Sequence, residues 1–317
     1  MAAPILRIGT RGSPLALAQA AAVRRRLADA FPELAADDAV ETVVIRTTGD
    51  RVRDRTLAAI GGKGLFTREI EEALLAGMVD LAVHSLKDVP TILPDGLVIA
   101  SHLPRADPRD AFVSPKAATL AELPARAVVG TASLRRQAQV LHARPDLKII
   151  PLRGNVETRL RKLAEGAIDA TLLAVAGLVR LGAEAAITGI MPIEQMLPAP
   201  AQGTIAVEAR AGDRRVLQWL AAIDDAPTAA CSAAERALLA GLDGSCRTPI
   251  AALAQIAGER LTLRARIIRP DGRECHDAER AGSIVDATAL GHETAADLRA
   301  VAGDAFFDLP LPGGTPV

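Results

Sequence analysis

The apolar positions of this chain change period repeatedly, and the changes divide it into strands and helices that alternate. Leu6-Arg7-Ile8-Gly9 reads as a short strand, followed by Thr10-Arg11-Gly12-Ser13-Pro14. Ser13 is an N-cap candidate and Pro14 suits a first helical position, which predicts a helix through Leu15-Ala16-Leu17 to about Leu27. Val40 to Thr47 is β-rich. Thr67 to Ala76 sets Ile70, Ala73 and Leu74 at helical core spacing, with Gly77 as the stop. Asp80 to Ser85 is a strand of buried type that runs into Leu86-Lys87-Asp88-Val89-Pro90. This alternation predicts an α/β domain.

A second stretch repeats the grammar without repeating the residues. Val128-Val129-Gly130 is a strand, and Thr131-Ala132-Ser133 caps a helix opening with Leu134-Arg135-Arg136. Lys148 to Leu152 is a strand, and Arg153-Gly154-Asn155 leads into a helix with Glu157, Arg159, Leu160 and Leu163. Ala170 to Val175 is a strand, and Ala176 to Arg180 begins a further helix. The Pro- and charge-rich Pro104 to Asp110 and the Pro-rich Leu197 to Gly203 read as crossovers between domains, and Thr204 to Glu208 as a strand returning to the first. Cys231 to Leu242 reads as a helix closed by Gly241, Leu261 to Ile268 as an alternating strand, and Thr294 to Val301 as a final helix. The expected domains are 1–103 with 203–222, then 104–202, then 223–317, with 308–317 an unstructured tail.

Composition narrows the partners. With 37 Lys and Arg against 38 Asp and Glu, no global field invites nucleic acid or an acidic membrane. Aromatics make up 2% of the chain, too few for base stacking. Cys231, Cys246 and Cys275 are too widely spaced for a zinc site and odd in number for a disulfide framework; no His pair has metal spacing. The start lacks a basic stretch followed by an apolar run, and no segment is long enough to span a bilayer, so a soluble cytoplasmic protein is expected.

Several enzyme motifs fail. Gly61-Gly62-Lys63-Gly64 lacks the upstream glycine and the hydroxyl residue of a nucleotide-binding loop, and no Gly-x-Gly-x-x-Gly follows a strand. Ser85 lacks the strained turn of a hydrolase nucleophile. His84, at a strand end, reads as a hydrogen-bonded core residue. The arginines are more telling. Arg11, Arg135, Arg136, Arg153 and Arg180 fall where a strand hands over to a helix, and Arg159 lies about a turn into one. In open α/β sheets those junctions line the ligand crevice, and helix N-termini there favour anions. Taken singly each is a solvated arginine; as a set at one topological position they predict a ligand with many negative groups. Asp88 on the same rim either pairs with Lys87, caps a turn, or serves a ligand that also develops positive charge. Cys246, in the turn Gly241 to Ile250, is either a small buried cysteine or a functional thiol.

In their order along the chain, a series of stretches resembles the hydroxymethylbilane synthase (porphobilinogen deaminase) family over essentially the whole length. They are Thr10 to Ala16, Gly61 to Phe66, Ala82-Val83-His84-Ser85-Leu86-Lys87-Asp88-Val89-Pro90, Asp107 to Phe112, Gly130 to Gln137, Leu152 to Leu160, Ala174 to Leu178 and Cys246-Arg247-Thr248-Pro249-Ile250. The resemblance implies two periplasmic-binding-protein-like (type II) α/β domains and a smaller α+β C-terminal domain. It implies a dipyrromethane cofactor held by a thioether at Cys246, whose turn reaches into the cleft between the other domains. Four porphobilinogen molecules are then condensed head to tail with loss of ammonia, and linear hydroxymethylbilane is freed by hydrolysis.

By the same resemblance Asp88 stabilises the cation left when ammonia departs and handles protons. Lys87, Ser133, Arg135, Arg136, Arg153 and Arg159, with Asp88, hold the cofactor. Arg11, Ser13, Arg153, Arg159, Arg180 and Gln202 hold substrate. Lys63 belongs to a lid over Arg51 to Gly62, and the molecule is a monomer without metal. Each pyrrole carries an acetate and a propionate, so the arginine rim suits the polyanion. Ala59, Ala132, Ala201 and Ser245 depart from the family's pattern; Ala201 stands where a glycine is common before Gln202. A non-enzymatic anion-binding protein would explain the arginines but gives Asp88 and Cys246 no work. A nucleic-acid binder fits neither the charge balance nor the aromatic content.

Overall fold

Residues 4–51, 64–242 and 248–307 are described by a computed structural model. Lys63, most of the expected lid, Ala59, Ser245, Cys246 and the tail from 308 lie outside the described residues. The described chain divides into two compact units, one made of the residues up to Ala106 together with Gly203–Ala229, the other of Asp107–Gln202 and the residues from Ala230 onward.

The first unit is built on a five-stranded sheet of order β2-β1-β3-β10-β4. Its strands are β1 (Leu6–Arg11), β2 (Val40–Ile45), β3 (Leu81–Ser85), β4 (Leu97–His102) and β10 (Ile205–Arg210). β1 runs parallel to β2 and β3, whereas β10 lies antiparallel between β3 and β4. β3 and β10 are buried on both faces, which is why each reads as an apolar run rather than an alternation. Helix α1 (Pro14–Ala30) covers one face through Ala16, Ala20, Val23 and Leu27, packing with Val216, Trp219 and Leu220 on Leu6, Ile8, Val83 and Val207. Beyond the short helix α2 (Thr48–Arg51), helix α3 (Arg68–Leu75) covers the other face through Ile70, Ala73 and Leu74. Gly77 ends that element with φ 68°, the left-handed stop expected from the sequence.

The second unit contains a sheet of order β7-β6-β8-β5-β9. Its strands are β5 (Asp110–Val113), β6 (Val128–Gly130), β7 (Lys148–Ile150), β8 (Ala170–Ala174) and β9 (Gly189–Ile190). β6 is parallel to β7 and β8, and β5 is antiparallel to β8 and β9. Both sheets therefore follow one plan, three parallel strands and then an antiparallel strand inserted before the last. The inserted strand is β5 where the chain enters the second sheet and β10 where it returns to the first. The shared grammar read along the sequence is thus a shared topology. Helices α4 (Leu134–Ala143), α5 (Val156–Ala164) and α6 (Val175–Arg180) follow β6, β7 and β8.

The same unit holds a three-stranded antiparallel meander of β11 (Ile250–Ala257), β12 (Arg260–Ile268) and β13 (Cys275–Ser283). Past helix α7 (Arg214–Ala221) of the first unit, α8 (Ala226–Gly241) and, at the end, α9 (Ala287–Ala302) supply the helices that enclose a core of Leu238, Leu261, Leu263, Ile267, Leu290 and Leu298. A methyl on Gly291 would run into the Ala234 carbonyl, so α9 approaches α8 closely there. Two five-stranded α/β sheets of one strand order plus a smaller α+β region accord with the α/β architecture expected from the sequence. β11 was not anticipated. The sequence reading passes from the Cys246 turn to Leu261, whereas a strand begins at Ile250.

Candidate active site

The parallel strands of both sheets deliver the expected site residues at their carboxyl ends. In the first unit β1 ends at Arg11, and Ser13 caps α1 by accepting the Ala16 N–H on Oγ at 3.3 Å. The Arg11 guanidinium lies 4.2 Å from the centroid of the Phe66 ring, a cation–π contact that holds the side chain across the strand end. β3 ends at Ser85, whose hydroxyl meets the Gln19 amide nitrogen at 2.8 Å, and a single 3₁₀ turn, Leu86–Asp88, follows. Lys87 and Asp88 are exposed on that turn. Arg11, Ser13, Phe66, His84, Ser85 and Asp88 line one open recess. Guanidinium and carboxylate thus share a pocket at the strand ends.

In the second unit the helix after β6 begins at Ser133, whose Oγ accepts the Arg136 N–H at 3.4 Å. Arg135 and Arg136 follow immediately, and both turn inward to Asp110, the first residue of β5. Arg135 Nη2 donates to Asp110 Oδ2 at 2.7 Å, and Arg136 Nη2 and Nε donate to Oδ1 at 2.6 and 3.1 Å. Gln202 Nε2 reaches the same Oδ1 at 3.1 Å and the Pro108 carbonyl at 2.7 Å. Arg135 Nη1 donates to the Leu197 carbonyl at 2.7 Å. Asp110 is fully buried, and both arginines are 6% exposed. Burial pushes the Asp110 carboxyl up, but the two guanidiniums outweigh it and hold it far below the usual carboxylate range. Burial, and then the like charge of Arg136, pull Arg135 down against the opposing pull of Asp110. Two arginines on one carboxylate leave one net positive charge under the β6–α4 turn.

Arg153 and Arg159 flank the turn after β7. Gly154 there has φ 117°, and a Cβ on it would meet the Thr158 side chain at 2.7 Å, so only glycine fits. Asn155 caps α5 by accepting the Thr158 N–H at 2.9 Å, and Arg159 Nε donates to the Gly154 carbonyl at 2.9 Å. Arg180 ends α6, and burial pulls its guanidinium down to about 10. Among the described residues, two buried guanidinium nitrogens, Arg135 Nε and Arg153 Nη2, have no acceptor. An orphaned donor of this kind is costly unless a ligand completes it. Donors in want of acceptors suit a ligand rich in carboxylates, so the residues present fit a dipyrromethane carrying acetate and propionate groups.

The structure gathers Arg11, Ser13 and Asp88 about one recess in the first unit, with Lys87 beside Asp88 on its turn. In the second unit it gathers Arg135, Arg136 and Gln202 about Asp110, with Ser133 capping the helix that carries the two arginines, and Arg153 with Arg159 about Gly154. Asp110 and Glu208 are the residues that reading the sequence for chemistry missed. Glu208 was detectable in principle, as one charge inside the apolar run Ile205 to Ala209 that must find a buried partner. Its partner is His84, at 3.1 Å from Nε2 to Oε2.

Comparison with known proteins accords with this geometry. A family model described as porphobilinogen deaminase, dipyromethane cofactor binding domain, matches residues 6–218, and one described as porphobilinogen deaminase, C-terminal domain, matches 229–300. The porphobilinogen deaminase of Paracoccus denitrificans is 58% identical over 303 residues, covering 96% of each chain. Those of Nitrobacter winogradskyi and Nitrobacter hamburgensis are 56% and 55% identical over 302 residues, covering 95% of each chain. With both matched regions spanning the strand-end residues and the C-terminal meander, the chain belongs to the porphobilinogen deaminase family.

Proposed function

We propose that this protein is a hydroxymethylbilane synthase, which joins four porphobilinogen molecules head to tail on a dipyrromethane primer tethered at Cys246, with release of ammonia. Its final step is hydrolytic release of the linear tetrapyrrole. The observation that carries this reading is the recess on the first unit, where Asp88 shares a pocket with Arg11 and Ser13. Porphobilinogen carries two carboxylates and an aminomethyl group, so it needs a cation for the former and an anion for the charge that develops at the latter. Arg11 and Ser13 bind the carboxylates. Asp88 faces the developing cation and takes and returns protons at the pyrrole nitrogens and the departing amine, as preorganised electrostatic catalysis requires.

When bound, the dipyrromethane supplies the pyrrole carbon to which the first substrate is joined. Ser133, Arg135, Arg136, Arg153 and Arg159, with Lys87, hold its carboxylates. Arg153, Arg159 and Arg180 also serve the incoming substrate. Gln202, whose amide is directed to Asp110 and to the Pro108 carbonyl, acts by holding that cluster. Domains at 1–103 with 203–222, 104–202 and 223–317 assign these roles to successive pieces of the chain, with Lys63 in a lid. No helix among the described residues is long and apolar enough to cross a membrane. A cytoplasmic monomer that binds neither nucleic acid nor membrane accords with the balanced charge.

Intact-mass measurement tests the tether. The purified protein should exceed its sequence mass by a dipyrrole, and Cys246→Ser should remove the excess. An active protein at its bare sequence mass contradicts the assignment.

A further inference from the structure

His84, which lines the recess on the first unit, belongs to a buried ionisable pair for which the proton chemistry given to Asp88 has no use. In the β3–β10 register Ala206 lies opposite His84 and Glu208 opposite Ala82. Residues two apart on a strand share a face, so His84 and Glu208 are diagonal neighbours on one side of the sheet. That side is the one covered by α3, where Ala82 packs with Ile70 and Leu74. In this apolar layer His84 Nε2 lies 3.1 Å from Glu208 Oε2, with Glu208 fully buried and His84 5% exposed.

Among the described residues, His84 is the one ion-pair and hydrogen-bond partner of the Glu208 side chain, and Glu208 Oε1 is buried without any. Glu71, from α3, is buried nearby. Burial raises its carboxyl above the ordinary range; Thr67 lowers it, the charge of Glu208 raises it further, and His84 lowers it. A carboxylate can only accept, so the ring nitrogen facing Glu208 carries the hydrogen. In a neutral imidazole that leaves Nδ1 as an acceptor, and the tautomer is assigned here by its partner.

We propose that Glu208 is a positioning residue that fixes His84 as the Nε2–H tautomer, and that His84 Nδ1 accepts a hydrogen bond from an N–H of the substrate in the recess. This rests on the functional reading above and deepens it. The substrate offers two kinds of N–H donor, the pyrrole nitrogen and the aminomethyl group, and Asp88 can satisfy one of them at a time. A neutral acceptor suits the second, because a second carboxylate so close would raise the cost of binding the substrate's own acetate and propionate. Glu208 lies beneath the recess rather than in it and acts through the imidazole. His84 and Asp88 thereby divide recognition of the donors, while Arg11 and Ser13 take the acceptors.

The test combines nitrogen NMR of the ¹⁵N-histidine-labelled protein with steady-state kinetics. The parent His84 should show protonated Nε2 and unprotonated Nδ1. Glu208→Leu, which fills the site with an apolar side chain, should let both tautomers populate and raise KM for porphobilinogen about tenfold to a hundredfold, the loss of one hydrogen bond to a charged or strongly polar group. Intact mass in that variant should stay at that of the loaded protein. Glu208→Gln, whose carbonyl can accept the same hydrogen, should restore both tautomer and KM. An imidazolium or an Nδ1–H ring in the parent overturns the proposal, as does Glu208→Leu with unchanged tautomer and KM. A parent that does not consume porphobilinogen sinks the functional reading instead, and the tautomer assignment is then judged by the spectrum alone.

Discussion

The two five-stranded sheets share one strand order, but they place a carboxylate at the strand-end rim in opposite ways. In the second sheet the inserted strand begins with Asp110 opposite Ala174, the last residue of β8. In the first, the inserted strand begins with Ile205 opposite Ser85, the last residue of β3. The same slot therefore holds a buried carboxylate in one unit and a buried isoleucine in the other. Where the slot is acidic, two arginines are drawn in and held with one surplus positive charge. Where it is apolar, Arg11 rests on the Phe66 ring instead, and the acid comes one turn later as exposed Asp88. One topology thus yields a rim built to hold anions and a rim of mixed sign able to do proton chemistry.

Removing the buried acid should have the largest effect on the molecule. Asp110→Asn leaves two buried guanidiniums without their counter-charge, and breaking such a cluster costs about 3–5 kcal/mol. A thermal melt should fall accordingly. Because the folded carboxyl is held far below its ordinary value, its contribution is complete above the usual carboxylate range and is lost only as pH drops through the much lower folded value. Between pH 5 and 8 the stability difference between parent and Asp110→Asn should therefore stay flat; a steep dependence in that window would mean the clamp is not ionised as described.

A smaller change sharpens the same cluster. Ala201, next to Gln202, has φ 62°, and its N–H is accepted by buried Glu235. A left-handed alanine costs about 1–2 kcal/mol, of which glycine's greater freedom in the unfolded chain cancels part. Ala201→Gly should therefore raise stability by up to about 1 kcal/mol, read as a modest rise in Tm with turnover unchanged. A fall in Tm would show that packing of the buried Ala201 methyl outweighs the backbone strain.

Much of this was legible in the sequence because local chemistry and fold agree. Ser13 and Ser133 cap helices as their positions suggest, Gly77 stops α3, and the arginines fall at strand ends because that is where the α/β plan puts strand-to-helix turns. The departures have physical causes. β11 is rich in alanine, which has weak strand preference, and its first five residues are buried on both faces, so it shows no alternation. Asp110 looked like the last charge of a Pro-rich crossover, since nothing local reveals that its partners are Arg135 and Arg136. His84 was legible as a hydrogen-bonded core residue and Glu208 as a charge in an apolar run, but their pairing across 124 positions was not. Long-range pairing of buried charges is the information that the hydrophobic pattern omits.

The contrast between the two carboxylates is tested most directly at Asp88. Asp88→Asn alters an exposed side chain, so the variant should fold and keep the mass of the covalently loaded protein. Ammonia release from porphobilinogen should fall by about a hundredfold to ten-thousandfold, the range for a group that manages protons in the transition state. Release at the parental rate, from a variant shown by intact mass to carry its primer, would contradict the account.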